Sequence, residues 1–396
     1  MKSAKCKLYL PHELVEQILS YIPAKALMRL RCVSKAWNDL VLDPTFVKLH
    51  LQRSSKNIHM LYTWKPLALE GFRCCPYAMQ SIPVQRLLES PSLAIDGSEI
   101  PCEFTNNITH VIGTCNGLVC LRVIVLSPVN DKYGKIYIRL WNPATRITSH
   151  VSPPLELQLL SVTLGFGYDD SSDTYKVLAL VMVQRSTDRE LTVHCLGDKC
   201  WRKIASIPTN SMILQYKGHF LSGTLNWMAR HGSRKHVIFS FDLRKETYRY
   251  FSIPEAQKTT RTISAELGIL KGCLCLGAYN RYETHFALWQ MKEYGVEESW
   301  TLLMKTIRLY FQIDSVLFPF FEPYPLAVYE NGDVLLMLMN RPRVELLLYN
   351  KKDDRIEFVD QCYMKDNKMK TVEAVHKSMW IYSNYFVQTL VFPRWN

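Results

Sequence analysis

The sequence is short of several things, and each shortage removes a class of protein. No apolar run reaches the roughly 18 residues that a membrane-spanning helix needs. The longest, over 118–126, contains Arg122 and has the length of a strand. The opening residues, MKSAKCKLYLPHEL, carry lysines but no hydrophobic stretch, so we expect no secretory signal. The 12 cysteines are scattered, without the spacing of a disulfide framework, which points to free thiols in the cytoplasm and/or the nucleus. No run of five like charges occurs, although the net charge is +12. Residues 1–52 contribute +4 (eight basic, four acidic) and the remaining 344 contribute +8 (40 against 32). A charge so dispersed reads as solubility; a basic nucleic-acid-binding β protein is the less favoured alternative. No nucleophile elbow, Walker loop or dinucleotide fingerprint is found, so we expect no enzyme and no cofactor.

What is present begins with helices. At about 150 residues per domain, 396 residues make two or three. Pro11 suits the first position of a helix, and Leu14, Ile18, Leu19 and Ile22 follow at helical spacing. Pro23 ends that helix and opens a second, with Leu27, Leu30, Val33, Trp37 and Leu40 on one stripe. Asp43-Pro44 stops it, and 45–51 reads as a third. Such a unit cannot enclose much core. Leu10, Val15, Leu19, Val41 and Leu42 lie off any single stripe, so apolar surface must meet either a partner or the rest of the chain.

Leu10-Pro11-His12-Glu13-Leu14-Val15, Ile18-Leu19, Ile22-Pro23-Ala24-Lys25-Ala26-Leu27, Arg29-Leu30-Arg31-Cys32-Val33-Ser34-Lys35-Ala36-Trp37, Asp43-Pro44-Thr45-Phe46 and His50-Leu51 together resemble an F-box. Ala26 stands where that family often has Ser. The resemblance implies docking to the Skp-type adaptor of a cullin–RING ubiquitin ligase. By motif position Leu10, Pro11, Leu14, Ile18, Leu19, Leu27, Leu30, Val33, Ser34, Lys35 and Trp37 would lie at that interface or support it.

After Leu51 the period falls from 3.6 to 2 and β-branched and aromatic residues rise. Four segments share a strand–turn–strand form with Gly at the turn: GTCNGLVCL (113–121), GHFLSGTLNW (218–227), LGILKGCLCL (267–276) and VYENGDVLL (328–336). GFGYDDSSDTYKVL (165–178) is a fifth, with its turn at Asp170. The turns fall at 117, 170, 223, 272 and 332, a period in the kelch range of about 50. Each unit continues into a second strand pair, as in LWNPATR (140–146), VHCLGDKCW (193–201) and FSFDLRKETY (239–248). Four strands per repeat make a propeller blade. The leftover segments, 58–111 and 380–392, can close the ring as a sixth blade built from both termini. Trp141, Trp201, Trp227, Trp289 and Trp300 are expected in blade cores. The fold class is thus α+β multidomain: a small all-α unit followed by an all-β, kelch-like propeller of about six blades, with seven blades or an open two-sheet β fold as the alternatives.

The ordered motifs of this second region, with SFDL and MKEYGVEESW (291–300), resemble the plant F-box-associated interaction domain, type 1, over 110–392. That group includes pollen S-locus F-box proteins and defence-related receptors. The implied division is 6–52 F-box, 53–109 connector and first β elements, and 110–392 target-binding domain. The implied function is the substrate-recognition subunit of a Skp–cullin–F-box ligase, without catalysis of its own. Its partners would be the adaptor, through it cullin and RING subunits, and a target protein. An F-box scaffold acting outside a ligase is the alternative.

Other clusters read more simply as structure. Cys74-Cys75, Cys115/Cys120, Cys195/Cys200 and Cys273/Cys275 lack zinc-site spacing, and Cys273 and Cys275 alternate toward one side of a strand. Asp169, Asp170 and Asp173 lack a calcium-loop pattern and suit a solvated hairpin turn. His231 and His236 flank a basic loop with Arg230, Arg234 and Lys235. The segment 309–326 holds Tyr310, Phe311, Phe318, Phe320, Phe321 and Tyr324 with only two charges. These aromatics, with Arg230 and Arg234, are the candidate target-binding residues, although packing beneath the propeller or against the helical unit is the favoured reading of the segment. Candidate target loops are 127–135, 184–190, 230–235, 256–262, 279–284 and 310–324.

Overall fold

The computed structural model describes residues 10–54, 58–65, 78–84, 98–100, 108–127, 133–158, 162–182, 189–207, 211–215, 217–232, 235–254, 263–280, 285–307, 324–340, 343–363 and 379–393. Four helices come first: α1 (His12–Leu19), α2 (Ala24–Leu30), α3 (Lys35–Leu42) and α4 (Pro44–Ser54). The sequence pattern suggested three. The long second helix is cut at Ser34, whose extended backbone and side chain cap α3 by accepting from the Trp37 N–H at 3.2 Å. Val33 therefore leaves the buried stripe. Pro11 stands one position earlier than expected, at the N-cap of α1. Asp43 stops α3 and also caps α4, its Oδ1 accepting from the Thr45 and Phe46 N–H groups at 2.8 and 3.0 Å.

Among the described residues, strands follow in six antiparallel sheets. Blade A joins the ends of the chain: β26 (Met379–Val387) pairs with β1 (Ile58–Lys65), followed by β2 (Ala78–Pro83) and β3 (Ser98–Ile100). Blade B holds β4 (Ile108–Cys115), β5 (Leu118–Leu126) and β6 (Tyr133–Asn142), with an outer strand split into β7 (Ile147–Thr148) and β8 (Leu155–Gln158). Blade C holds β9 (Val162–Asp169), β10 (Thr174–Met182), β11 (Arg189–Cys195) and β12 (Arg202–Ile207). In blade D the inner strand is split into β13 (Ser211–Ile213) and β14 (His219–Leu221), beside β15 (Thr224–His231), β16 (Lys235–Asp242) and β17 (Thr247–Ser252). Blade E runs β18 (Ile263–Leu270), β19 (Cys273–Asn280), β20 (His285–Met291) and β21 (Trp300–Ile307). Blade F runs β22 (Tyr324–Val328), β23 (Val334–Asn340), β24 (Arg343–Asn350) and β25 (Arg355–Tyr363). Neighbouring inner strands β26, β4, β9, β14, β18 and β22 pack in that order. A C-terminal strand thus completes the N-terminal blade.

Two turn chemistries repeat. Asn116-Gly117, Ser222-Gly223 and Lys271-Gly272 all have positive φ at both residues, as a tight two-residue hairpin requires. The outer turns begin instead with Asn or Asp. Asn142 Oδ1 accepts from the Ala144 and Thr145 N–H groups, and Asp242 Oδ1 from those of Arg244 and Lys245. Asn350 Oδ1 does the same for Lys352 and Asp353. Four residues on, Arg146, Glu246 and Asp354 take positive φ and close the turn.

The hydrophobic core lies between blades rather than within them. Trp227, fully buried, packs with Phe239 and Phe241 of blade D against Leu178, Leu180, Leu191 and Val193 of blade C. Its ring lies so close to Gly165 of β9 that a Cβ there would stand 2.6 Å from Trp227 Cζ2. Trp141 is also buried, while Trp201, Trp289 and Trp300 are half-buried and pack against the inter-blade cores. Cys275 is in the core and Cys273, at the start of β19, is half-buried.

The Asp169 turn departs from expectation. Asp170 and Asp173 are exposed, but Asp169 is buried. Its Oδ2 lies 2.9 Å from Lys176 Nζ, also buried, which reaches Glu246 of blade D at 3.3 Å and donates to the Leu243 carbonyl at 2.9 Å. Arg202 closes the set on Glu246 at 2.7 Å. Burial alone would raise the Asp169 carboxyl, but hydrogen bonds from Ser171, Lys176 and Ser172 outweigh it and hold the group well below the ordinary carboxylate range. This turn is an inter-blade ion cluster. Among the described residues no three His, Cys, Asp or Glu side chains converge as a metal site would require, and no helix is long and apolar enough to cross a membrane.

Candidate functional site

The helical unit has two apolar sides. One is a core: Leu19, Ala24, Leu27, Leu40, Val41 and Phe46 are buried together, with Val15, Ile22, Leu30 and Trp37 partly buried against them. The other faces water. Leu10 (59% exposed), Leu14, Ile18, Tyr21 and Val33 (63%) stand out from α1 and from the α2–α3 turn. Twelve large hydrophobic residues are exposed among those described, and these five fall within 24 consecutive residues. Leu14 and Ile18 are four apart, so they share one stripe of α1, and Leu10 stands exposed just before the Pro11 cap. Pro11, Ser34 and Lys35 are exposed beside them.

Polar clamps hold this patch from behind. Arg53 of α4 lies over the Tyr21 ring at 4.5 Å, donates to the Gln17 carbonyl at 3.1 Å and bonds Ser20 Oγ. His50, fully buried, meets the Ile22 carbonyl through Nε2 at 2.9 Å. Burial pushes the His50 pKa down, against the pull of that carbonyl. Arg31 Nε donates to Asn38 Oδ1 at 3.0 Å across the α2–α3 junction.

Of the residues singled out in the sequence for adaptor binding, Leu10, Pro11, Leu14, Ile18, Val33, Ser34 and Lys35 are on the surface. Leu19 and Leu27 are in the core beneath it, and Leu30 and Trp37 are half-buried between.

Strand parity places the unit on the ring. In a four-stranded antiparallel blade the first and third turns share one end, and the second turn and the inter-blade connection share the other. Among the described residues the helical unit meets first-turn and third-turn positions. Lys48 pairs with Asp173 at 3.1 Å, Ala144 joins the helical core, and α4 leads into β1 where Ile58 pairs with Val387. Leu390, just past the end of β26, is also part of that core. All six candidate target loops are second turns or inter-blade connections, so they leave the strands at the opposite end. Tyr310, Phe311, Phe318, Phe320, Phe321 and Arg234 lie outside the described residues, as does the Tyr324 side chain, although Tyr324 opens β22. Arg230, half-buried on β15, pairs across the hairpin with buried His236.

Asn142, Thr389 and Leu390, which tie the helices to the ring, were not identified from the sequence as junction residues. Asn142 was legible only as a turn residue, and the segment to 392 was expected to continue a blade strand. The strand instead ends at Val387.

The F-box associated beta propeller domain matches residues 78–386, and the F-box-like domain matches residues 8–52. An F-box/kelch-repeat protein of Arabidopsis thaliana is 29% identical over 309 residues, covering 74% of this chain and 79% of the relative. F-box protein CPR1 of Arabidopsis thaliana is 28% identical over 381 residues, covering 89% and 85%. Among solved structures, the six-bladed β-propeller lectin of Aleuria aurantia covers 72% of this chain and 86% of its own at 10% identity and a TM-score of 0.35.

Proposed function

Because the chain belongs to the F-box proteins that carry an F-box-associated β-propeller domain, we propose that it is the substrate receptor of a Skp–cullin–F-box ubiquitin ligase in the cytoplasm or nucleus. F-box domains bind Skp-type adaptors, and neither matched family is catalytic. The observation that carries the reading is the division of labour between two faces. The exposed patch of Leu10, Leu14, Ile18 and Val33 points away from the core that seats the F-box on the ring, and the candidate target loops connect strands at the ring's other end. One face holds the adaptor and the other a target protein. The receptor makes and breaks no bond. It raises the effective concentration of target lysines near the ubiquitin-charged enzyme.

The test is co-expression with a Skp-type adaptor and cullin, comparing wild type with Leu14→Asp/Ile18→Asp. Both residues are exposed, so the variant keeps its fold. We expect a stoichiometric complex with wild type and at least a 100-fold loss of adaptor affinity in the variant, about 2.7 kcal/mol for two apolar anchors. Wild type that purifies without the adaptor overturns the reading. Adaptor binding that excludes cullin replaces it with the scaffold role.

A further inference from the structure

The chain does not stop where its last strand stops. After Val387, residues 388–393 leave the sheet and run between the F-box and blade B, with Thr389 and Leu390 fully buried. Leu390 joins Leu19, Ala24, Leu27, Leu40, Val41 and Phe46, so a residue near the C-terminus completes the core of the N-terminal domain. Its neighbour Val391 packs against the core between blades B and C.

Asn142, itself fully buried, holds this segment. Both protons of its amide are used, one on the Thr389 carbonyl at 2.9 Å and one on the Val391 carbonyl at 2.7 Å. Its Oδ1 meanwhile caps the turn that carries Ala144 into the F-box core. Thr389 Oγ1 donates to the Asn116 carbonyl at 3.0 Å. The fit is close: a Cβ on Gly117 (φ +79) would stand 2.2 Å from that oxygen. Buried amide groups satisfied at every site define one geometry rather than a range.

We propose that residues 388–393 are a clasp that fixes the F-box in one orientation on the propeller, with Asn142, Thr389 and Leu390 as positioning residues. The proposal rests on the receptor reading for its consequence. A rigid clasp sets the distance between adaptor and target, and so determines which target lysines come within reach of the transferred ubiquitin. The docking itself stands apart from that reading.

A surface pair reports the docking directly. Lys48 of α4 and Asp173 of blade C touch at 3.1 Å, and both are largely exposed, so the pair contributes little to holding the domains. A carbodiimide joins such a pair as an amide with loss of water, and mass spectrometry counts the product. The full chain bound to a Skp-type adaptor is compared with Asn142→Asp, Leu390→Ala and a chain ending at Val387. Asp keeps the turn cap, as Asp242 does at the equivalent position, but has no proton for the two carbonyls. We expect the Lys48–Asp173 product to fall at least fivefold in Asn142→Asp and in the shortened chain, and less in Leu390→Ala, with adaptor affinity within twofold of wild type in Asn142→Asp, which leaves Leu390 in place, and a larger maximum dimension in solution scattering. Unchanged cross-linking and scattering in the shortened chain would overturn the clasp. Loss of adaptor binding by Asn142→Asp would also overturn it as a positioning device, making the segment part of the F-box fold. Failure of wild type to bind adaptor, with the cross-link still lost in the variants, overturns the receptor reading and leaves the clasp standing.

Discussion

Phe46 and Trp227 are both fully buried, but by different kinds of neighbour. Phe46 lies in a helical unit too small to enclose it, and the deficit is made up from outside by Ala144 and Leu390. Trp227 lies between two blades, each contributing a row of alternating side chains from a regular sheet. The helical unit has one core that needs a visitor, and its remaining apolar side stays bare. The ring has a core at every described blade junction, and no single blade owns one. A bare apolar side on a unit already completed by its own chain is the mark of a surface meant for something else.

The ring half of this comparison breaks most severely at Trp227. Trp227→Ala should cost about 3–5 kcal/mol, read by denaturant unfolding. A variant within about 1 kcal/mol of wild type would mean that the inter-blade cores are not what holds the ring.

Next is the ion cluster between the same blades. Lys176→Met leaves Asp169 buried without its cation, and removal of one partner of a buried pair typically costs about 3 kcal/mol or more. Asp169→Asn added to it should recover most of the loss. If the two single effects simply add in the cycle, Asp169 and Lys176 do not act as a unit.

A smaller effect comes from the junction of the two regions and from the inner ring. Burial, with the positive charge of Lys25, pushes His59 down to about 4; burial, with Lys217, pushes His219 to about 3; burial also lowers His50. Above about pH 6.5 these imidazoles are neutral in both states and stability is level. As the pH falls from 6.5 toward 4, the unfolded chain takes up protons that the folded chain refuses, so stability drops. The melting temperature should therefore decline over that window, and less steeply in His59→Gln. A level melting temperature between pH 7 and 5 would contradict neutral burial.

The smallest effect sharpens the other half. Ile18→Asp, on the bare side of α1, should unfold within about 0.5 kcal/mol of wild type. A large loss would place Ile18 in a core, and the comparison would fail there.

Much of this architecture was legible in advance. The Asn116-Gly117 and Lys271-Gly272 turns announce hairpins, because positive φ is a local requirement that few residues meet. Their spacing gives the repeat, and the unpaired strand segments at both ends of the chain give the closing blade. The F-box helices were legible in outline, but Ser34 was not read as a cap because apolar spacing ran unbroken across it. Asp169 looked like one more polar turn residue, since nothing within its own hairpin reveals that its neighbour Lys176 will be buried with it against Glu246 of blade D. The candidate target residues from Tyr310 to Phe321 fall outside the described residues, and their role rests on the proposal above.

By itself the sequence determined the strand period, the turn chemistry, the spacing of the repeats and the membership of the helical unit in its family. All of these depend on residues within a few positions of one another or on a pattern that recurs. Only the tertiary structure decided which apolar residues of the helices form a core and which a patch, and that the segment after the last strand completes that core. The bond between Asn142 and Thr389 spans 247 positions. Burial at such a junction is set by what the fold brings together, and neither partner's local sequence carries it.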